Sequence, residues 1–133
     1  MPDQSIVEAV RTFFPRVQAI YRFGSCGTAD ERPDSDCDLA LLLPPGDKTR
    51  LAVHPLAEQL AALLGREVDL VNLRQVDTVF QKEILAAERR IDAGDVQAAD
   101  SFEMLVLSYY QRLNRERREI LADFRASGRV YES

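Results

Sequence analysis

Three aspartates and one Gly-Ser pair are the residues of this 133-residue chain whose types and spacing could do chemistry. Asp36 and Asp38 stand one residue apart at the head of the apolar run "DCDLALLL", and Asp69 sits inside "EVDLVNL". Aspartate is depleted in strands, and carboxylates two positions apart project from the same strand face, where they repel. Folding has no use for such a pair, so its compensation must come from outside the chain. Carboxylate oxygens are hard ligands that suit Mg²⁺, an ion that keeps several waters and shares substrate phosphates. Without a cation, close carboxylates raise one another's pKa. If "DCDLALLL" and "EVDLVNL" form neighbouring strands in suitable register, Asp69 joins the pair and three carboxylates converge.

Gly24 and Ser25 follow directly on "VQAIYRF". A glycine lets the backbone approach a phosphate with no Cβ in the way, and a serine offers both a backbone N–H and a hydroxyl. A helical turn beginning after them would add a favourable field for a triphosphate. Arg32, in the same connection, reads as exposed filler rather than a phosphate ligand. Taken alone, a Gly-Ser pair after a strand is a common turn. The specific feature is the combination: a strand, Gly-Ser, ten residues, Asp-x-Asp entering a strand, and a further Asp inside a later strand.

The elements that must hold these residues are readable from periodicity. "DQSIVEAVRTFF", with Ile6, Val10 and Phe13 near helical spacing and a stop at Pro15, predicts a first helix. "VQAIYRF", "DCDLALLL" and "EVDLVNL" predict three strands. Between the last two, "DKTRLAVHPLAEQLAALLG" predicts a helix with a kink or late start at Pro55 and a stop at Gly65. "VDTVFQKEILAAERR" predicts a helix with Val76, Val79, Phe80, Ile84 and Leu85 inward, and "RRIDAGD" could contain a short strand. From about Val96 to Ala126, Phe102, Leu105, Val106, Tyr109, Tyr110, Leu113, Ile120 and Phe124 predict one long terminal helix. The expected fold class is α+β, a single domain over 1–133: a small mixed sheet with helices on one face, an open catalytic face and a long C-terminal helix.

Composition narrows the function classes. No apolar run approaches the ~20 residues of a membrane span, and "MPDQSIVEAV" lacks a basic, signal-like start, so a cytoplasmic address and no membrane are expected. A net charge of −5 argues against direct nucleic-acid binding. The charge is uneven: residues 1–110 hold 11 Lys/Arg against 18 Asp/Glu, and residues 111–133 hold 6 against 4. The C-terminal helical part, 95–127, is therefore the expected partner-binding element, although a solvated face laced with Glu116, Glu119 and Asp123 would look similar.

The combination "FGS…PDSDCDLALLL" with "EVDLVNL" resembles the signature of the DNA polymerase β-like nucleotidyltransferase superfamily. Through "FQKEILAAERRIDAG" and "SFEMLVLSYYQRLNRERREIL" the resemblance covers most of the chain and is nearest the minimal nucleotidyltransferases, or MNT proteins, specifically MntA-type antitoxins that pair with HEPN ribonuclease toxins. It implies that Gly24 and Ser25 hold the triphosphate of ATP, that Asp36 and Asp38 bind two Mg²⁺ ions, and that Asp69 completes the site beside the attacking hydroxyl. It also implies transfer of AMP to a tyrosine of a cognate HEPN toxin. One departure stands out: many minimal members carry a basic residue followed by glycine where this chain has Thr28 and Ala29.

The alternatives are a binding-only antitoxin with a relic site, and nucleotidyl transfer to a small molecule such as an aminoglycoside. Retention of every carboxylate and of Gly-Ser counts against the first. The short chain, with only terminal helices left to build an acceptor pocket, counts against the second. Other residues offer little. His54 is isolated, Cys26 and Cys37 form no metal-ligand pattern, and Cys37 should face the core. Of Tyr109 and Tyr110 one should pack while the other meets a partner, and Tyr131 lies in a terminus expected to fray.

Overall fold

β1 (Ala19–Phe23) and β2 (Cys37–Leu42) form the antiparallel centre of a four-stranded sheet in the order β3-β2-β1-β4. The computed structural model describes residues 3–24, 36–46 and 53–127, with side chains to 124. β3 (Val68–Asn72) runs parallel to β2, which requires a crossover, and α2 (Val53–Leu64) supplies it. The short strand suspected in "RRIDAGD" is present as β4 (Arg90–Asp92), antiparallel to β1 at the opposite edge.

One face of the sheet presents Ile20, Cys37, Leu39, Leu41 and Leu70 to α1 (Asp3–Phe13) and α2. Ile6 and Val10 of α1 are fully buried, but Phe13 points outward and Phe14 is buried instead. The helical period explains the correction: Ile6, Val10 and Phe14 lie four apart on one stripe, and Phe13 falls beside it. Pro55 does not kink α2. The helix starts two residues earlier, so the proline occupies its first turn, where the backbone N–H groups have no intrahelical partner anyway. Gly65, at φ +69°, ends it as expected.

The other face is less open than the sequence suggests. α3 (Thr78–Ala86), capped by Asp77 accepting from the Phe80 N–H at 2.8 Å, and α4 (Val96–Ser127) pack over part of it. Ala19 and Ala40 are small enough to admit them, and Tyr21, Leu42, Leu73, Ile84, Ala99, Phe102 and Val106 complete this second core. Helices thus lie against both faces, and among the described residues the second is least covered toward the start of β2. Val79, expected inward, is exposed, because Phe80 and Ile84 occupy the buried stripe of α3.

α4 is tied down at its first half. The Tyr21 hydroxyl donates to Glu103 Oε2 at 2.7 Å, and Arg90 Nη1 donates to Asp100 Oδ1 and Glu103 Oε2, both at 2.9 Å. Phe102 and Val106 are buried as predicted, but Leu105, Tyr109, Leu113, Ile120 and Phe124 are 38–54% exposed. Leu105 and Tyr109 lie on the outward side of the anchored half, beside Phe102, Val106 and Tyr110. For Leu113, Ile120 and Phe124 length is the reason: 32 helical residues span roughly 48 Å at 1.5 Å each, and strands of five or six residues cover roughly 20 Å. Half of the helix has no sheet beneath it. Among the described residues no helix is long and apolar enough to cross a membrane.

This division is measurable. Phe102→Ala should destabilise the chain by about 3–5 kcal/mol. Ile120→Ala should stay within about 0.5 kcal/mol. Urea unfolding of the isolated chain separates the two, and equal losses would place the distal half of α4 in the packed body.

Candidate active site

The carboxylates meet because of strand register. In the parallel pairing of β2 with β3, Asp38 stands opposite Asp69, and Cys37 opposite Val68. Asp36 immediately precedes β2, two residues from Asp38 and so on its side of the strand. Asp36 and Asp69 are exposed and Asp38 is half-buried at the uncovered end of the second face. Burial pushes the Asp38 carboxyl above the usual carboxylate range, and the charges of Asp69 and then Asp36 push it further in the same direction. That both neighbours act on Asp38 is the electrostatic signature of the expected convergence. Cys37 points the other way, into the core under α1 and α2, as alternation requires.

Gly24 abuts the same carboxylate. β1 pairs with β2 so that Phe23 lies opposite Asp38, and the next residue, Gly24, turns out of the strand at φ +71°. A Cβ built on Gly24 would overlap Asp38 Oδ2. Glycine suits this position for its left-handed backbone, and a side chain here would also have to displace the Asp38 carboxylate. That proximity was invisible in the sequence, which showed only that a phosphate could approach. Ser25, Cys26, Thr28, Ala29, Arg32 and Tyr131 lie outside the described residues.

A contact that the sequence reading missed completes this corner. Arg89 Nη1 donates to the Gly24 carbonyl at 2.7 Å, across 65 residues of sequence. The only sequence signal was the pair Arg89-Arg90 before a possible strand. The structure divides them, with Arg90 held by α4 and Arg89 by Gly24. Elsewhere, His54 Nε2 lies 3.0 Å from Glu58 Oε1 on the surface of α2, away from any cluster. Tyr110 is half-buried with the Lys82 ammonium 5.0 Å from its ring centre, and Tyr109 is exposed beside Arg112, as expected of an adjacent pair.

Donor chemistry and charge favour a hard divalent cation at Asp36, Asp38 and Asp69: three carboxylates share one corner, and the half-buried one bears the cost of its neighbours' charges. The fit is one of donor type and field. Among the described residues no three His, Cys, Asp or Glu side chains stand as a ready-made ligand shell.

Comparison with known proteins agrees with this geometry. The chain is 32% identical over 125 residues to the protein adenylyltransferase MntA of Shewanella oneidensis, covering 94% of this chain and 88% of that one. A toxin–antitoxin crystal structure with AMP-PNP superposes with a TM-score of 0.77 at 30% identity, covering 92% of this chain and 98% of the other. The complex of a tri-AMPylated Shewanella oneidensis HEPN toxin with an MNT antitoxin gives 0.71 at 31% identity, covering 91% and 93%. The profile of the family described as Polymerase beta, Nucleotidyltransferase matches residues 4–95, which span both the Gly-Ser connection and all three carboxylates. The chain is a member of that nucleotidyltransferase family.

Proposed function

We propose that this chain is an antitoxin that transfers AMP from ATP to a tyrosine hydroxyl of a HEPN-type toxin and so silences it. The observation that carries the reading is the register that sets Asp38 beside Asp69 and Gly24 against Asp38. Support also comes from the relatives, one an adenylyltransferase and one bound to an AMPylated HEPN toxin. Asp36 and Asp38 would hold Mg²⁺, with Asp69 on the side of the incoming hydroxyl. Bound there, the ions would neutralise the triphosphate and lower the pKa of the attacking hydroxyl. The tyrosine oxygen attacks the α-phosphorus as the bond to pyrophosphate breaks, and Asp69, exposed to solvent, accepts the tyrosine proton. Gly24 and Ser25 hold the triphosphate in line. The chain's contribution is positioning and charge, with no covalent enzyme intermediate.

A toxin acceptor needs a docking surface, and the distal half of α4 offers one. It combines the exposed Leu113, Ile120 and Leu121 with a groove lined by Asn114, Arg117, Arg118 and Leu121. It also carries the basic excess of an otherwise acidic chain. Arginine with apolar anchors is the usual make-up of an interface centre.

Two outcomes test the proposal. Asp36→Asn and Asp38→Asn should each abolish magnesium-dependent labelling of the toxin from α-labelled ATP. In EDTA at neutral pH, Asp38→Asn should melt at or above the wild-type temperature. The sign follows from its raised pKa: ionising Asp38 costs folded-state stability above the carboxylate range, and asparagine removes that charge. Transfer undiminished in both variants would remove the metal role. Reversing charge at Arg115 and Arg118 should weaken toxin capture and slow modification while ATP binding to the isolated chain stays normal. Normal capture with lost ATP binding would move these arginines into the nucleotide site.

A further inference from the structure

A triphosphate entering this corner meets the charges of three aspartates. Asp38 and Asp69 stand opposite each other at the end of the sheet, and the charges of Asp69 and Asp36 both bear on Asp38. Metal ions placed among the carboxylates cannot by themselves offset both the aspartates and a polyphosphate. A protein cation is needed near Gly24.

Several other basic groups of the sheet and its flanking helices are already engaged. Arg11 pairs with Asp92 at 2.7 Å, and Arg22 with Asp3 at 3.0 Å. Arg74 donates to the Leu43 carbonyl and the Gln18 side chain, with Phe102 below it. Arg90 is divided between Asp100 and Glu103, and Lys82 lies over Tyr110. Arg89 differs. It pairs with no carboxylate among the described residues, its Nη1 is spent on the Gly24 carbonyl, and its Nη2 is buried with no hydrogen-bond partner. A buried guanidinium nitrogen without an acceptor is costly and uncommon, and it marks a place where a ligand oxygen can be received.

α3 ends at Ala86 with Ala87 as its C-cap, and Glu88 just beyond adopts φ +53°, the left-handed conformation with which helices commonly terminate. The next residue is Arg89, whose carbonyl accepts from the Arg22 N–H at 2.9 Å at the start of the β1–β4 pairing. A planar guanidinium also suits the task, because one arm can hold a carbonyl while the other meets a phosphate oxygen.

We propose that Arg89 is a polyphosphate-binding residue of this site: Nη1 fixes the Gly24 carbonyl and Nη2 donates to a non-bridging oxygen on the β- or γ-phosphate of ATP. The proposal rests on the nucleotidyltransferase reading above and adds to it the group that recognises the leaving pyrophosphate. Because the contact is to the β,γ portion, Arg89 should discriminate ATP from AMP.

Calorimetric titration of the full chain with Mg-ATP and with AMP tests this. Arg89→Ala should weaken ATP roughly tenfold to a hundredfold, the loss of one charge-assisted donor, and AMP by less than about twofold. Arg89→Lys should recover part of the ATP affinity. Arg89→Gln keeps a donor for Gly24 without the charge, so it should bind ATP as weakly as Arg89→Ala, and it decides the matter if the alanine variant fails to fold. Unchanged ATP affinity in the alanine and glutamine variants would overturn the proposal. An equal loss for ATP and AMP would also overturn it, since Arg89 would then only hold the end of β1. A wild-type chain that binds no Mg-ATP at all would instead remove the reading on which the proposal stands.

Discussion

Asp38 and Asp69 stand opposite each other across a parallel strand pair, and the rest of the domain is arranged around tolerating that placement. At the spacing of neighbouring strands, about 4.8 Å, two carboxylates repel by roughly 1–3 kcal/mol between the fully solvated and the near-surface limits. Asp36 adds to this, and burial adds more for Asp38. A single mismatch of this size matters when the whole domain is stable by about 5–15 kcal/mol. The strands must therefore be held by interactions that owe nothing to the carboxylates. Two apolar cores supply them, one on each face, with Leu39 and Leu41 buried in one and Ala40 and Leu42 in the other. β2 is thus buried on both sides along its length and carries charge only where it begins.

The same constraint explains why the corner is built from small or committed groups. Gly24 turns at φ +71°, and a Cβ there would displace the Asp38 carboxylate. Phe23, opposite Asp38 in the ladder, packs edge-on against Phe80 with ring centres 5.6 Å apart, so the strand end is fixed from the α3 side. Arg89 holds the Gly24 carbonyl from β4's approach. Each contact fixes the position of the turn leaving β1 relative to the carboxylates. Catalysis by positioning demands this, since misplacement by an ångström can cost two orders of magnitude in rate.

The sequence disclosed those parts of the site that depend on chain-local rules. Alternation placed Asp36 and Asp38 on one face and Cys37 on the other, and the spacing from Gly24 carried the family resemblance. The pairing of Asp38 with Asp69 was conditional on register, which no local pattern specifies; tertiary packing settled it. Arg89 was illegible for a related reason. Its partner is a backbone carbonyl 65 residues away, reached only because β4 closes beside β1, and β4 itself is three residues long. Periodicity also misjudged burial where a helix ran past its support. Leu113 and Ile120 obey helical spacing, but spacing reports only that a stripe exists, not whether a sheet lies beneath it. Phe13 and Val79 failed more simply, because a neighbouring residue sat nearer the centre of the buried stripe.

The anchored half of α4 and the carboxylate corner are joined through β1. β1 carries Tyr21, whose hydroxyl reaches Glu103 on α4, and two residues later it delivers Phe23 and then Gly24 to the site. Burial and the Glu103 carboxylate push the Tyr21 hydroxyl well above its ordinary titration range, so this tether keeps its proton at any pH the domain would meet. Arg90 joins the same group, with Asp100 and Glu103 holding its charge firmly in place. The anchored half of α4 therefore cannot shift along the sheet without breaking the part-buried Tyr21–Glu103 hydrogen bond, the surface pairs of Arg90 and the packing of Phe102 and Val106. On the proposed reading, an acceptor seated on the distal half of the helix would be presented to Asp69 from an element joined to the sheet through Tyr21 and Arg90. A chain of this size would then need no pocket of its own for a macromolecular acceptor.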